Sequence, residues 1–284
     1  MPPAPKLVTR VTITGEFVAR VLATWVWLGA WAVCPAQPVV MPGGYKVEPV
    51  AEGATLTGRI RLEGEMPSLA PLPVTADRAG CGPAMKPNES AIVGPAGGVA
   101  NCVVSLEDIL AGKPPTPAVT MAVVDQQSCV FVPHVAQAWT GSSILVKNSD
   151  PVYHNVHAYS LPGMYTRFNV GLPQKGNEVK VRAAGAEILV LKCDAGHRWM
   201  TSYIHVARNP YNAVTGKEGT FSIGEIPAGR HRVRLWHELA GEHVFDLECP
   251  AGATVPLDVT VRLRPKPAWS VGGNSQPAAP VTSR

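Results

Sequence analysis

Short apolar segments separated by glycine and proline constrain the fold of this chain more than any other feature. The 284 residues include 27 Gly and 28 Pro, and the apolar segments between them are brief and rich in Val, Ile and Thr. Ala54–Glu63, for example, alternates apolar and polar residues as a half-buried strand does. No long amphipathic helix pattern stands out. We therefore predict an all-β fold built from sandwiches or barrels.

Two stretches in the middle of the chain carry more specific predictions. Cys129–Trp139 has the pattern of one continuous strand. Ser160–Gln174 is interrupted by two prolines and two glycines, and we predict a long excursion without a strand there.

The charge of the chain limits its partners. The net charge of +4 is mild, and the lysines and arginines form no dense stripe along the sequence. Proteins that bind nucleic acid usually carry such a stripe, so we expect no nucleic-acid partner.

The N-terminal residues 1–36 have the organisation of a secretory signal. Basic residues precede a 13-residue apolar run, Val21–Val33, and small residues near its end offer a cleavage point. One alternative is an uncleaved anchor that attaches the protein to a membrane. A lipoprotein modified at Cys34 is another, although the Trp-Ala-Val before it matches that signal poorly. We expect an exported protein, periplasmic or attached to the cell envelope.

Export changes the interpretation of the six cysteines, because disulfides form in oxidising compartments. One cysteine lies in the N-terminal segment, and Cys193 has a different interpretation, given below. The other four allow three pairings, among which the sequence does not choose; they are Cys81, Cys102, Cys129 and Cys249. We predict Cys81–Cys129 and Cys102–Cys249. The alternative is that some of them are free and buried.

A nine-residue stretch, Lys192–Met200 (KCDAGHRWM), concentrates metal-binding side chains. It holds the thiol of Cys193, the imidazole of His197 and the thioether of Met200. Copper prefers one Cys and two His in a trigonal site with a weak axial Met. The second imidazole is available upstream, at His154. Structural zinc on two His and one Cys is an alternative, but a thioether is a poor zinc ligand.

These segments resemble the cupredoxin family of blue copper proteins, of the amicyanin and plastocyanin kind. The resemblance rests on a Phe-x-Pro strand, a Gly before a strand ending in Asn, the HNVH of residues 154–157, and the Cys…His…Met loop. It covers roughly residues 117–207. It implies a Greek-key cupredoxin β-sandwich with one mononuclear type 1 copper, through which single electrons pass.

The resemblance also implies a role for each matching residue. His154 and His197 would be the imidazole ligands, Cys193 the thiolate ligand and Met200 the axial thioether. Asn155 matches the family's asparagine that ties the two ligand segments together by hydrogen bonds.

The loop departs from the amicyanin pattern in length. Three residues separate Cys193 from His197 where that pattern has two. The flexible backbone of Gly196 could accommodate the extra residue.

Trp199 has two interpretations: a packed aromatic that covers the site, or part of an apolar docking face. That face would extend over Leu161, Pro162 and Met164.

A second resemblance concerns the rest of the chain. Thr215–Phe221, Ile226–Gly229 and the RHRVRLWH strand look like a carboxypeptidase regulatory-like (transthyretin-like) sandwich, whose opening strands lie far upstream. We therefore predict a smaller, discontinuous sandwich of residues 52–112 and 208–264, with the cupredoxin domain, residues 113–207, inserted. Simple tandem order is the alternative. Residues 265–284 have almost nothing to bury and are predicted to be disordered.

The sequence as a whole predicts an exported copper protein that carries single electrons to or from a redox partner protein. A copper-binding or copper-delivery protein and a metal-free interaction module are the alternatives. We expect no enzyme, because the paired His-x-His and His-Cys-His motifs of multicopper enzymes are missing from the sequence.

Overall fold

The computed structural model describes residues 39–116 and 120–264. The predicted signal or anchor and the predicted disordered tail lie outside these ranges. Within them, no helix has both the length and the apolar character that crossing a membrane requires.

The regular elements of the described ranges are strands, apart from one short helix. The first elements in chain order are β1 (Val39–Val40), β2 (Lys46–Val47), β3 (Ala54–Leu62), β4 (Leu72–Pro73), α1 (Arg78–Cys81), β5 (Met85–Lys86), β6 (Val103–Leu106) and β7 (Ala111–Gly112). The next are β8 (Met121–Gln127), β9 (Val130–Val132), β10 (Val135–Trp139), β11 (Ser143–Asn148), β12 (His154–Leu161), β13 (Tyr165–Leu172), β14 (Glu178–Arg182), β15 (Glu187–Lys192) and β16 (Thr201–Ala207). The last are β17 (Asn212–Val214), β18 (Thr220–Ile226), β19 (Gly229–His237), β20 (Gly241–Cys249), β21 (Thr254–Pro256) and β22 (Val259–Val261). The prediction of an all-β fold is confirmed.

Strands β8 to β16 form what we call the central sandwich. One sheet has the order β10-β16-β15-β12-β13 and the other the order β14-β11-β8-β9. Alternate residues of the two sheets meet in one buried core, among them Ile144 and Val146 from β11 and Leu189 and Leu191 from β15. Burying this apolar surface is the main force that holds the two sheets together.

Strand β15 is apolar on both faces, and both faces are covered. While Leu189 and Leu191 face the central core, Ile188 and Val190 pack into a separate cluster with Trp236 of β19. A strand buried on both sides has a continuous apolar sequence rather than an alternating one, as this strand does.

The flanking sandwich consists of β3, β6 and β17 to β22. Its sheets have the orders β17-β6-β19-β20 and β18-β3-β21, and β22 also pairs with β3. Its strands come from both sides of the central sandwich in the sequence, as a discontinuous domain requires. The domain bounds and the carboxypeptidase regulatory-like resemblance stay predictions. Val74 and Cys81, which lie within the predicted range 52–112, pack into the core of the central sandwich.

The predicted disulfides divide into one correct and one wrong pairing. The Cys81–Cys129 bond is present, and this prediction is confirmed. The Cys102–Cys249 bond is wrong, because both thiols are free and buried. Val103 pairs with Trp236 near one end of β19, whereas Cys249 pairs with Gly229 at the other. The two cysteines are therefore roughly 25 Å apart, far beyond the reach of a disulfide.

Candidate metal centre

The topology brings the two predicted ligand segments to one end of the central sandwich. Strands β12 and β15 are antiparallel neighbours, with His157 opposite Lys192. The beginning of β12, at His154, therefore lies beside the loop that follows β15. That loop carries Cys193 and His197 and ends where β16 begins, after Met200.

Three side chains converge there in a buried triangle. The Sγ atom of Cys193 lies 3.9 Å from Nδ1 of His154 and 3.5 Å from Nδ1 of His197, and the two Nδ1 atoms are 3.0 Å apart. Both imidazoles are fully buried, and the thiol is 4% exposed. All three are therefore shielded from water.

A carboxylate holds the far nitrogen of each imidazole. Nε2 of His154 lies 2.9 Å from Oδ2 of Asp150, and Nε2 of His197 lies 2.9 Å from Oδ2 of Asp77. We assign the Nε2 protons from these hydrogen bonds, since an ionised carboxylate only accepts. Each Nδ1 atom then turns a lone pair towards the centre of the triangle.

This donor set fits a metal ion. Two imidazole lone pairs facing each other at 3.0 Å repel unless a proton or a cation lies between them. The edges of the triangle also suit a metal with bonds of about 2.0–2.1 Å to nitrogen and about 2.3 Å to sulfur. Two imidazoles and one thiolate in a trigonal arrangement form the ligand set that copper takes in one-electron sites.

The carboxylate of Asp150 is itself fixed by the backbone. It accepts N–H groups from Ser128 at 2.5 Å and Cys129 at 2.7 Å, in addition to the His154 contact. Burial opposes ionisation of Asp150, but these hydrogen bonds outweigh it and lower its pKa. An ionised Asp150 orients the His154 ring before any metal arrives.

The thiol of Cys193 is set up as a thiolate. Burial by itself would raise its pKa, but hydrogen bonds with His154, His197 and two backbone N–H groups outweigh burial and lower the pKa to about 6. Burial likewise opposes protonation of both imidazoles, yet hydrogen bonds to Cys193 and to the carboxylates raise the pKa of each. The centre therefore holds a proton close to a thiolate, and a metal cation would replace that proton.

Asn155 joins the two ligand segments. Its side-chain oxygen accepts the backbone N–H of Asp194 at 3.0 Å, and its own backbone N–H points at the Cys193 sulfur at 3.5 Å. In the loop, Gly196 has a φ of +91°, a conformation that side chains with a Cβ rarely adopt. Glycine at this position lets the longer loop close.

The other two predicted residues are buried next to the triangle. Met200 lies in the same core cluster as Cys193, and its backbone N–H donates to His197 O; an axial bond from its sulfur stays a prediction. Trp199 is 7% exposed, its ring centroid is 5.1 Å from that of His197, and its Nε1 donates to Cys129 O. Of the two interpretations of Trp199, the packed aromatic covering the site matches this placement.

The predicted docking face is wrong. Leu161 ends β12, seven residues from His154, so it lies roughly 23 Å along the strand from the triangle. Leu161 and Met164 pack instead against the cluster that contains Trp236, between the two sandwiches. Neither fully buried imidazole offers a partner protein an exposed edge.

Sequence reasoning missed the two carboxylates and the position of the Cys81–Cys129 disulfide beside the site. Asp150 stands four positions before His154, a spacing that could have been noticed. Nothing in the sequence pointed to Asp77 as a partner of His197, because Asp77 lies in a stretch rich in Pro, Gly and Ala, far from the loop along the chain. The sulfurs of Cys81 and Cys129 also lie within 4.8 Å of a ring nitrogen of His197.

No protein-family model and no curated protein matches the sequence. Some solved structures do match. A novel purple cupredoxin from Nitrosopumilus maritimus is 17% identical, with a TM-score of 0.27, over 31% of this chain and 98% of that chain. A copper-containing nitrite reductase from Thermus scotoductus SA-01 is 18% identical, with a TM-score of 0.28, over 34% of this chain and 23% of that chain.

A reduced amicyanin variant is 19% identical, with a TM-score of 0.27, over 30% of this chain and 79% of that chain. By name, these three structures are a cupredoxin, a copper-containing nitrite reductase and an amicyanin, and each match covers about a third of this chain. At such scores they carry no argument about what this chain binds.

Proposed function

We propose that this protein holds one copper ion between His154, Cys193 and His197, with Met200 as a weak axial ligand, and carries single electrons. The observation that supports this most strongly is the buried triangle of two Nδ1 atoms and one Sγ atom, each imidazole being held from behind by a carboxylate. Copper, when bound, supplies the chemistry by passing between its monovalent and divalent states.

The residues of the chain hold the ligands ready. Asp150 and Asp77 fix the rings, Asn155 fixes the two segments relative to each other, and burial keeps water away from the metal position. Because the ligands are held in place beforehand, the geometry of the site should change little when the metal gains or loses an electron. A small change in geometry favours fast electron transfer. Asp194 follows Cys193 directly and its side chain is 49% exposed, so the thiolate is one residue from the surface.

We further propose that the protein is exported and meets a redox partner protein rather than acting as an enzyme. The Cys81–Cys129 disulfide supports export, since such bonds persist in oxidising compartments. A partner would approach on the side of Asp194, where the chain nearest the thiolate is exposed.

Burial of both imidazoles favours a second candidate function, namely holding or delivering copper without electron transfer. Electron carriers work best when a ligand lies close to the surface, whereas His154 and His197 are both fully buried. In addition, Asp77 covers His197 from a different part of the chain. Slow exchange of a well-covered metal suits a copper-holding protein.

Copper reconstitution tests the proposed centre. Purified wild type is loaded with copper(II), its metal content is measured, and visible and EPR spectra are recorded. An intense thiolate-to-copper band is expected, and Cys193→Ser should remove it, because that sulfur is its source. Cys102→Ser, which removes a buried thiol of the flanking sandwich, is the matched control and should keep the band. A chain that takes up no copper, or a band that survives Cys193→Ser, contradicts the proposal.

Stopped-flow kinetics separates the two candidates. The copper-loaded protein is mixed with a small inorganic oxidant and then with a reductant. An electron carrier should cycle rapidly and reversibly without losing copper. Slow cycling accompanied by transfer of copper to a chelator would favour the copper-holding function.

A further inference from the structure

A polar cavity lies between the central and flanking sandwiches, at the end of β15 away from Cys193. Its volume is about 290 Å³, and its inner wall includes Ser105 of β6, His205 of β16 and Arg234 of β19. A protein cavity of roughly 150 Å³ is large enough for benzene, so this one has room for a small organic molecule. We propose that the cavity binds a small monocarboxylate and that His205 takes up one proton from solvent when this ligand binds.

The interface between the two sandwiches is apolar at one end and polar at the other. At the apolar end, Val190, Tyr203 and Trp236 pack in one cluster. His205 stands two positions after Tyr203 on β16, and Arg234 stands two positions before Trp236 on β19. Residues two positions apart on a strand face the same side, so His205 and Arg234 face this same interface. The interface therefore contains an imidazole and a guanidinium group where packing alone would favour apolar side chains.

Two nitrogen atoms of these side chains are buried without a hydrogen-bond partner among the described residues. They are Nδ1 of His205, a residue that is 5% exposed, and Nε of Arg234. The terminal nitrogens of Arg234 are already bound to Glu107 at 2.9 Å and to Glu242 at 2.6 Å, which fixes the guanidinium group. Leaving buried polar atoms unpaired is costly. Both side chains line the cavity, so a ligand oxygen there would give the two nitrogens a partner.

The charges around the cavity cancel one another. The charged side chains of its wall, together with their ion-pair partners, are Arg167, Arg208, Arg234, Glu107, Glu187 and Glu242. Each wall carboxylate is held by an arginine, whereas Arg208 is exposed and has no ion pair among the described residues. Arg208 is therefore free to attract an anion to the mouth of the cavity. Because the wall has no net charge, a bound monocarboxylate requires one added positive charge.

His205 can supply that charge. Without a ligand, burial and the positive charge of Arg234 lower the pKa of His205 to about 4, although Glu107 opposes this, and the imidazole is neutral. A carboxylate beside the ring favours its protonated form. The imidazolium then donates its Nδ1–H to the ligand, as Arg234 donates its Nε–H. Ligand and proton therefore bind together.

The neighbours of His205 leave the proton to this one residue. In its own sheet, Gln137 of β10 and Ile188 of β15 stand beside it, and neither side chain titrates. From the flanking sandwich, β6 presents Ser105 and β19 presents Arg234. The carboxylates of the wall are already held by arginines, which keeps them ionised. Among the described residues of the wall, His205 is therefore the group that changes charge.

The size and wall of the cavity favour an organic anion over an inorganic one. Ala186 and Ala207 also line it and offer a short alkyl chain apolar contacts. A single halide ion would fill little of the volume. A doubly charged anion would exceed the one positive charge that His205 adds.

Binding of propionate to the metal-free full chain tests the proposal. Equilibrium dialysis with radiolabelled propionate at pH 5.5 should find about one site per chain. Propionamide, which has the same shape without the charge, should not compete. Because one proton binds with each propionate, affinity corrected for the ionisation of propionate itself should fall about tenfold from pH 5.5 to 6.5. Calorimetry in two buffers of different ionisation heat should report the uptake of about one proton.

Two results of these measurements overturn the proposal. Absence of propionate binding shows that the cavity holds water only. Binding that propionamide matches, or that takes up no proton, shows that charge does not select the ligand. Since the chain is tested without copper, neither result bears on the proposed metal centre.

Two histidine variants form a matched pair. His205→Gln cannot take up the proton, so propionate affinity at pH 5.5 should fall about tenfold or more and should no longer depend on pH. His231 lies outside the cavity wall, with its Nε2 bound to Pro227 O, and His231→Gln should keep both the affinity and its pH dependence. Equal behaviour of the two variants overturns the role of His205.

Nitrogen NMR of histidine-labelled wild type covers the case in which His205→Gln folds poorly. At pH 5.5 the ring nitrogens of His205 should have the shifts of a neutral imidazole without ligand and of an imidazolium with saturating propionate. Propionamide should leave them unchanged. A His205 ring that stays neutral in the propionate complex overturns the proposal.

Discussion

The Nε2 atom of His197 lies 2.9 Å from Oδ2 of Asp77, although 120 positions separate the two residues. Asp77 belongs to a small arm, Leu72–Lys86, which packs against the core of the central sandwich. A residue from outside the central strands thus orients one of the imidazoles proposed to bind copper. Asp77 therefore makes this arm part of the proposed metal centre.

Replacing Asp77 should weaken copper binding without abolishing it. In Asp77→Asn the charge-assisted hydrogen bond to His197 is lost, and copper affinity should fall about tenfold to hundredfold. Competition with a chelator measures this change, and the thiolate-to-copper band should persist. Asp246→Asn, at an exposed aspartate of β20, is the control and should keep wild-type affinity. Equal affinity in both variants would show that Asp77 does not position the ligand.

The sequence was enough to predict that the ligand residues of this loop come together, because those residues stand close to one another along the chain. Cys193, His197 and Met200 stand within eight positions, and His154 begins a neighbouring strand, so residue type and order already indicate the convergence. Asp77 could not be predicted in this way, because only tertiary packing brings it to His197. That these residues bind copper stays a prediction, although their geometry suits it.

Removing the side chain of Asn155 should loosen the two ligand segments. Asn155→Ala loses the hydrogen bond to Asp194 N–H and the one to Asn169. Because Asn155 is buried, we expect the free energy of unfolding to fall by about 1–3 kcal/mol. Urea denaturation of the metal-free protein measures it. Asn169→Ala removes the contact to Asn155 and one to His157 but keeps the Asp194 N–H contact, and Asn169 is exposed whereas Asn155 is buried. It should cost less, and an equal loss in both variants would argue against the Asp194 contact.

Two strand predictions failed for identifiable physical reasons. The excursion Ser160–Gln174 contains β13, in which Phe168, Val170 and Leu172 alternate with exposed residues. The prolines and glycines of this stretch concealed that short alternation. The single strand predicted over Cys129–Trp139 is divided into β9 and β10, which belong to different sheets. Pro133 lies between them and cannot donate to a ladder.

Gly58 should tolerate no side chain. A Cβ atom there would lie 1.9 Å from the backbone oxygen of Leu257, between the two segments that pair with β3 as β21 and β22. Gly58→Ala must displace that backbone, and we expect a loss of about 1–3 kcal/mol of unfolding free energy. Gly185→Ala is the control, since a Cβ there meets nothing within 4 Å. Thermal and urea unfolding of the two variants should separate them clearly.

The buried His205 should make stability depend on pH. Burial, reinforced by the positive charge of Arg234, lowers the pKa of His205 to about 4, and its Nδ1 has no hydrogen-bond partner among the described residues. The ordinary histidine pKa in an unfolded chain is about 6.5. Between these two values the unfolded chain binds a proton that the folded chain does not, so stability is lost as the pH falls from about 6.5 towards 4.

The expected loss from His205 across this window is about 3 kcal/mol, which follows from the difference between the two pKa values. Urea unfolding at pH 7, 6, 5 and 4 would measure it. His205→Gln cannot take up the proton, so its stability should fall less than that of wild type over the same range, whatever its stability at pH 7. Parallel pH profiles for the two proteins would show that His205 is protonated equally in the folded and unfolded chain.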